Sequence, residues 1–138
     1  MKEYPCISIQ QPWVHAIFHL GKDVENRTWP LVNYRGELAI HASRTVNTDA
    51  VSEYGLGAVK LPTGVIVGTV DLYDVIRNSR SKWAEKGQYH WLIRRPKLLR
   101  RPIPALGNAT MSYVKLDLRI NGAKGGRPKG SGKKRKAR

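Results

Sequence analysis

At 138 residues, 41% of them hydrophobic, the chain is long enough for one core of ordinary domain size and too short for two. A formal net charge of +15 points to a polyanionic partner, and nucleic acid is the commonest one. The lone Cys6 excludes an internal disulfide, its single thiol and the four scattered histidines offer no zinc spacing, and there is no long apolar run, secretory signal pattern or amphipathic basic tail; an intracellular setting, cytoplasmic or nucleoid/nuclear, is expected, with no metal, no cofactor and no membrane partner.

In chain order, CISI (residues 6–9) reads as a short buried strand. Pro12 suits the first turn of a helix, and Trp13, Ala16, Ile17 and Leu20 recur at i, i+3, i+4 and i+7, so a one-faced helix is expected over about residues 12–20, stopped by Gly21. The following GKDVENRTW alternates Val24, Asn26 and Thr28 against Glu25, Arg27 and Trp29. If extended, it carries an acid, a cation and an indole on one face. ELAIHAS reads as a strand with Leu38 and Ile40 on one side and Ala39, His41 and Ser43 on the other. TDAVSEY is a short helix capped by Asn47 or Thr48 and ended by Gly55. TGVIVGTVDLYDVI is nearly continuous in Val and Ile, as a strand at the centre of a sheet should be. Asp71 interrupts it, and a charge at such a place must be paired, structurally or in a site.

Residues 77–101 change character, with nine Lys or Arg against Glu85 alone. SKWAEKG is expected as a helical turn, YHWLIR as a strand, RPKLLRRPIP as an extended loop fixed by its three prolines, and SYVKLDLRI as a closing strand. From Asn121 onward there is little besides Gly, Lys and Arg, too little apolar surface to offset the entropy of ordering. The expected organisation is one domain over residues 1–120 and a disordered basic tail over 121–138. Residues 120–138 hold eight Lys or Arg and no acid, which leaves an excess of +7 on the remainder.

SIQQPW, GKDVENRTW, YRGELAIHAS, GTVDL, YHWLI, PIPALG and YVKL, in this order over about residues 8–116, resemble the activating signal cointegrator homology (ASCH) domain of the PUA-like superfamily. The resemblance implies an α+β fold: a small β-barrel flanked by short helices. It also implies a cleft between the first helix and the barrel wall, lined by Lys22, Glu25 and Arg27 with Gln10 beside them, and an association with RNA or DNA. The superfamily's relatives include modules that read modified or flipped bases.

On spacing alone, Lys22, Glu25 and Arg27 are as readily a solvated ion-pair cluster; if they line a cleft, each replacement by Ala is expected to change stability by under about 1 kcal/mol and to impair binding or turnover by more. In a cleft, Arg27 would fork onto a phosphate or carbonyl and Glu25 would accept from an exocyclic amine. Trp13 is expected in the core, Trp29 either in packing or stacked on a base. His41 and Ser43 are candidate ligand-binding residues on the next strand, with a hydrogen-bonded wall residue the commoner role for a lone His. Arg94, Arg95, Arg100 and Arg101 would extend the grip on nucleic acid. In the tail, GGRPKG resembles an AT-hook core, which would place Arg127 in the minor groove of A·T-rich DNA and Lys129 at a phosphate; a glycine stands where that motif usually has a preceding basic residue. The alternative for the tail is a plain polyanion-binding arm.

Two functions follow, a nucleic-acid-binding module or a small metal-independent hydrolase. Some ASCH-like bacterial proteins resemble amidohydrolases that deacetylate acetylcytidine with a lysine, a threonine three residues later and a glutamate on another strand. Lys22 matches the lysine, but Glu25 stands in the threonine position, so the hydroxyl nucleophile is missing from its place. An enzyme built on these residues would use Glu25 as base, Lys22 at the oxyanion and Asp71 as second acid. An RNA-cleaving variant would use Lys22, Glu25, Arg27 and His41.

Overall fold

Among the described residues, alternating and continuous apolar runs build six strands, and two short segments between them become helices. The computed structural model describes residues 1–108 and 111–118, so the basic tail, with Arg127 and Lys129, lies outside the described residues. The elements are β1 (Lys2–Gln11), α1 (Trp13–His19), β2 (Val24–Arg27), β3 (Gly36–Val46), α2 (Thr48–Glu53), β4 (Val65–Ile76), β5 (Tyr89–Pro104) and β6 (Ser112–Leu116). The strands form one sheet in the order β2-β5-β4-β3-β1-β6, curled into a half-barrel. Only β1 and β3 run parallel, with Ser8 opposite His41; the other pairs are antiparallel.

β3 and β4 occupy the middle of the sheet, as the Val/Ile run demands. Leu38, Ile40, Val70 and Leu72 from these strands meet Ile7 of β1 and Trp91 of β5 in the core. Burial of this apolar surface is the main force holding the curl. α1 contributes Val14, Ala16 and Ile17 to the interior. Its buried stripe is rotated from the expected one: Trp13 is half-buried, and Leu20, already past the last helical turn, is 40% exposed. Gly21 then takes φ +77°, a left-handed turn open to glycine, and the Lys22 N–H reaches the Ala16 carbonyl at 3.0 Å. The chain is thereby turned back so that Lys22 ends buried.

Two expectations are corrected. SKWAEKG forms turns, with the Ala84 N–H on the Ser81 carbonyl at 3.0 Å, and no helix. RPKLLRRPIP is no loop: it continues β5 through Pro104. Prolines are tolerated there because β2 pairs only with residues 89–92 of β5, so beyond them one edge of that strand needs no ladder donors. The extra residues Arg95, with φ +53°, and Pro96 form a bulge between the Asp71–Arg94 and Thr69–Lys97 pairs.

Candidate functional site

The GKDVENRTW segment puts its charges inside the molecule. Lys22 and Glu25 are 6% and 8% exposed, which rules out the solvated surface cluster. The Lys22 ammonium donates to the Val24 carbonyl and lies 3.4 Å from Glu25 Oε1; the other carboxylate oxygen, Oε2, accepts from Arg27 Nη1 at 3.2 Å. One carboxylate thus serves two cations. The Arg27 guanidinium also lies 5.5 Å from the Trp29 ring and 5.8 Å from the Trp91 ring, and its Nη1 donates to the Ser8 carbonyl at 3.4 Å. Ser8 belongs to β1 and Arg27 to β2, which lie on opposite flanks of the sheet. Arg27 therefore fastens the two sides of the curled sheet, where no backbone ladder joins β2 to β1.

A pocket of about 90 Å³ opens beside this cluster, lined by Trp13, Lys22, Glu25, Asn26 and Glu85. Arg27 stands behind the pocket rather than in its lining. The far wall comes from the segment 77–88, which is held by five hydrogen bonds to Asn26, Asp23 and His90. Asn26 donates to the Trp83 carbonyl and accepts from the Glu85 N–H, both at 2.9 Å. Ser81 donates to Asp23 at 2.5 Å, and His90 bridges the Ser79 N–H at 3.0 Å and the Glu85 carbonyl at 2.7 Å. The His90 ring thus accepts at Nδ1 and donates at Nε2. At the rim, Trp13 meets Tyr54 edge-on at 5.6 Å, and Tyr54 stacks on Trp83 at 5.9 Å.

The other expected residues fall in different places. Gln10 is exposed on β1 and does not line this pocket; its neighbour Gln11 is the buried one, accepting from the His15 N–H at 3.0 Å and donating to the Pro62 carbonyl at 2.9 Å. Trp29 packs edge-on against Trp91 at 4.9 Å. His41 is buried, held between Ser8 Oγ at 2.9 Å and the Ala105 carbonyl at 2.7 Å, and does not line this pocket. Ser43 closes a local turn with the backbone of Thr45 at 3.1 Å. Asp71 faces Arg94 and Arg95 at 2.8 and 3.2 Å, so its charge is balanced across the β4–β5 pair and not by the Lys22 cluster. Arg100 and Arg101 are exposed further along β5.

Burial pushes the Cys6 thiol up to about 11, which keeps it protonated and unreactive near neutral pH. Among the described residues, no group of three or more His, Cys, Asp or Glu side chains is gathered as a metal site requires. No helix among them is long and apolar enough to cross a membrane. Trp83, Tyr54, Asn26 and Glu85 escaped the sequence reading as site residues. The one signal for Trp83 and Glu85 was the basic run that surrounds them; Tyr54 read as the end of a short helix.

The geometry agrees with the comparisons. The chain is similar to the crystal structure of ASCH from Zymomonas mobilis, with a TM-score of 0.53 at 16% identity over 81% of this chain and 87% of that one. A point mutant of that protein aligns with a TM-score of 0.53 at 14% identity, covering 83% and 91% of the two chains. Likeness at such low identity concerns the fold. No curated protein matches the sequence. The ASCH domain itself matches residues 7–114, from the second half of β1 into β6, and the chain belongs to the ASCH domain family.

Proposed function

We propose that this chain is a nucleic-acid-binding module whose cleft is the pocket between α1 and the segment 77–88. The observation that carries this reading is the company of the pocket. Its lining holds an amine, an amide and two carboxylates, from Lys22, Asn26, Glu25 and Glu85. Its wall segment exposes Arg77, Arg80, Lys82 and Lys86. Groups of both signs suit the polar edge of a base, and exposed cations around them suit phosphates. Arg94, Arg95, Arg100 and Arg101 on β5 extend the positive surface, and the tail, with Arg127 and Lys129, adds affinity through further phosphate contacts and an A·T bias if its Gly-Arg-Pro element enters the minor groove.

The test is a salt series of binding constants for RNA and DNA oligonucleotides, comparing the full chain with Lys82→Glu/Lys86→Glu. The expected result is weaker binding and a shallower salt slope in the double variant. An affinity and slope equal to those of the parent would remove this face from the interface.

One observation supports a second reading, a small hydrolase acting on a modified nucleoside or on RNA: Glu85 reaches the same pocket as Lys22 and Glu25. It takes the second-acid place that Asp71, paired with Arg94 and Arg95, does not fill. Glu25 would then activate water, Lys22 would stabilise the oxyanion and Glu85 would serve as the second acid. Acetylcytidine turnover by the parent, abolished in Glu25→Gln with substrate binding retained, would establish it. Absence of turnover on both acetylcytidine and RNA leaves the binding module.

A further inference from the structure

We infer that the rim formed by Tyr54 and Trp83 is a stacking platform for unpaired bases, so that the ligand is single-stranded nucleic acid; this rests on the binding reading above and specifies its ligand. Trp13, Tyr54 and Trp83 come from α1, the end of α2 and the segment 77–88, and the three rings make one continuous row. Tyr54 and Trp83 do not belong to either hydrophobic core cluster, and Tyr54 is 40% exposed. The two rings pack on each other, and Tyr54 also on Trp13, and the surface they still expose lies outside the core beside a polar pocket.

The Trp83 backbone is fixed on both sides. Its carbonyl accepts from Asn26 Nδ2 at 2.9 Å, and its N–H donates to Ser81 Oγ at 3.1 Å. With its backbone held and its ring stacked on Tyr54, the side chain has less entropy to lose on binding, the condition under which a surface aromatic binds well. The Lys82 ammonium lies over the Trp83 ring, 5.2 Å from its centroid, a cation–π contact that a stacking base would displace, freeing the flexible cation for the nucleotide's phosphate.

Pocket size divides the labour. At about 90 Å³ the pocket is far below the ~300 Å³ or more of cavities that engulf a drug-sized ligand. It has room for an exocyclic amine or carbonyl, while the ring of the base remains outside, on the aromatic rim. Within a duplex, both faces of a base are covered by its neighbours; only an unpaired strand offers a free face.

The test measures anisotropy of labelled oligonucleotides with the full chain at several salt concentrations. The ligands are a single strand, a duplex of equal length, and the same single strand with abasic residues. The expected result is that the parent prefers the base-bearing strand over the abasic one by about 5- to 100-fold. Trp83→Ala should lose that preference with its salt slope unchanged, and Trp83→Phe should keep most of it. Equal binding of base-bearing and abasic strands by the parent would overturn the platform while leaving the nucleic-acid reading intact. So would a Trp83→Ala variant that weakens duplex and single strand alike. Failure of the parent to bind any of the three ligands would overturn both readings.

Discussion

Glu25 shows how far one side chain's environment decides its role. Its carboxylate stands between Lys22 and Arg27, nearly out of water, so removing the charge leaves two buried cations without their shared partner. Glu25→Leu should cost roughly 3–5 kcal/mol. Lys22→Met keeps the Glu25–Arg27 pair and fills the same volume; it should cost about 1–2 kcal/mol, mainly for the Val24 carbonyl that loses its donor. Urea unfolding of both variants checks the asymmetry. Costs under about 1 kcal/mol for both would match the exposed charge pairs expected from the sequence and contradict the burial seen here. The same geometry changes the expectation for Arg27, whose replacement should act chiefly through the closure onto Ser8 and the packing on Trp29 and Trp91, because it stands behind the pocket.

At the scale of elements, α1 and the segment 77–88 carry the site's adaptable parts. His15 and His19 sit one turn apart with ring centroids 4.7 Å from each other, lining a second pocket of about 130 Å³ that also contains Gln11 and Lys60. Burial holds both imidazoles below their ordinary value of 6.5, and the charge of His15 adds to the effect on His19. Below that pH the unfolded chain binds more protons than the folded one. The stability tied to these neutral rings is complete above about pH 6.5 and is lost as pH falls through the lowered folded values. Thermal unfolding across this window should show the fall, and His15→Gln/His19→Gln should flatten it; an unaltered profile would assign the slope to other groups. For the segment 77–88, Asn26→Ala removes two hydrogen bonds to its backbone. Global stability should drop by about 1–3 kcal/mol, and trypsin should cut faster at Arg80, Lys82 and Lys86 as the segment opens locally. Unchanged proteolysis would show that Asp23 and His90 suffice to hold it.

For the whole molecule, the division of charge separates affinity from folding. The eight cations of residues 120–138 lie beyond the β1–β6 pairing that closes the sheet, which ends at Leu116. Deleting residues 121–138 should leave the unfolding midpoint within about 0.5 kcal/mol of the parent, while the salt slope of log affinity becomes shallower by several units. Loss of cooperative unfolding would place the domain boundary further along the chain. An unchanged slope would remove the tail from the interface.

Local chemistry in the sequence determined the elements with the strongest signals. The Val/Ile run became a central strand, the i, i+3, i+4 spacing with Gly21 became a stopped helix, Asn47 became a cap accepting from the Ala50 N–H at 3.0 Å, and the alternation of Glu25 and Arg27 put their charges in contact. Each rests on interactions a few residues apart, which is why periodicity and turn chemistry could reveal them. Only the tertiary structure decided what those elements enclose. Ser8 meets Arg27 because the sheet curls, and Asp71 meets Arg94 because of the β4–β5 register. Trp83 meets Tyr54 because the segment 77–88 is pinned by Asn26, from the strand it folds over. The prolines of β5 were misread because their tolerance depends on which side of a strand lacks a neighbour. These are long-range relations set by curl and register, and no local pattern of residue types encodes them separately from the fold.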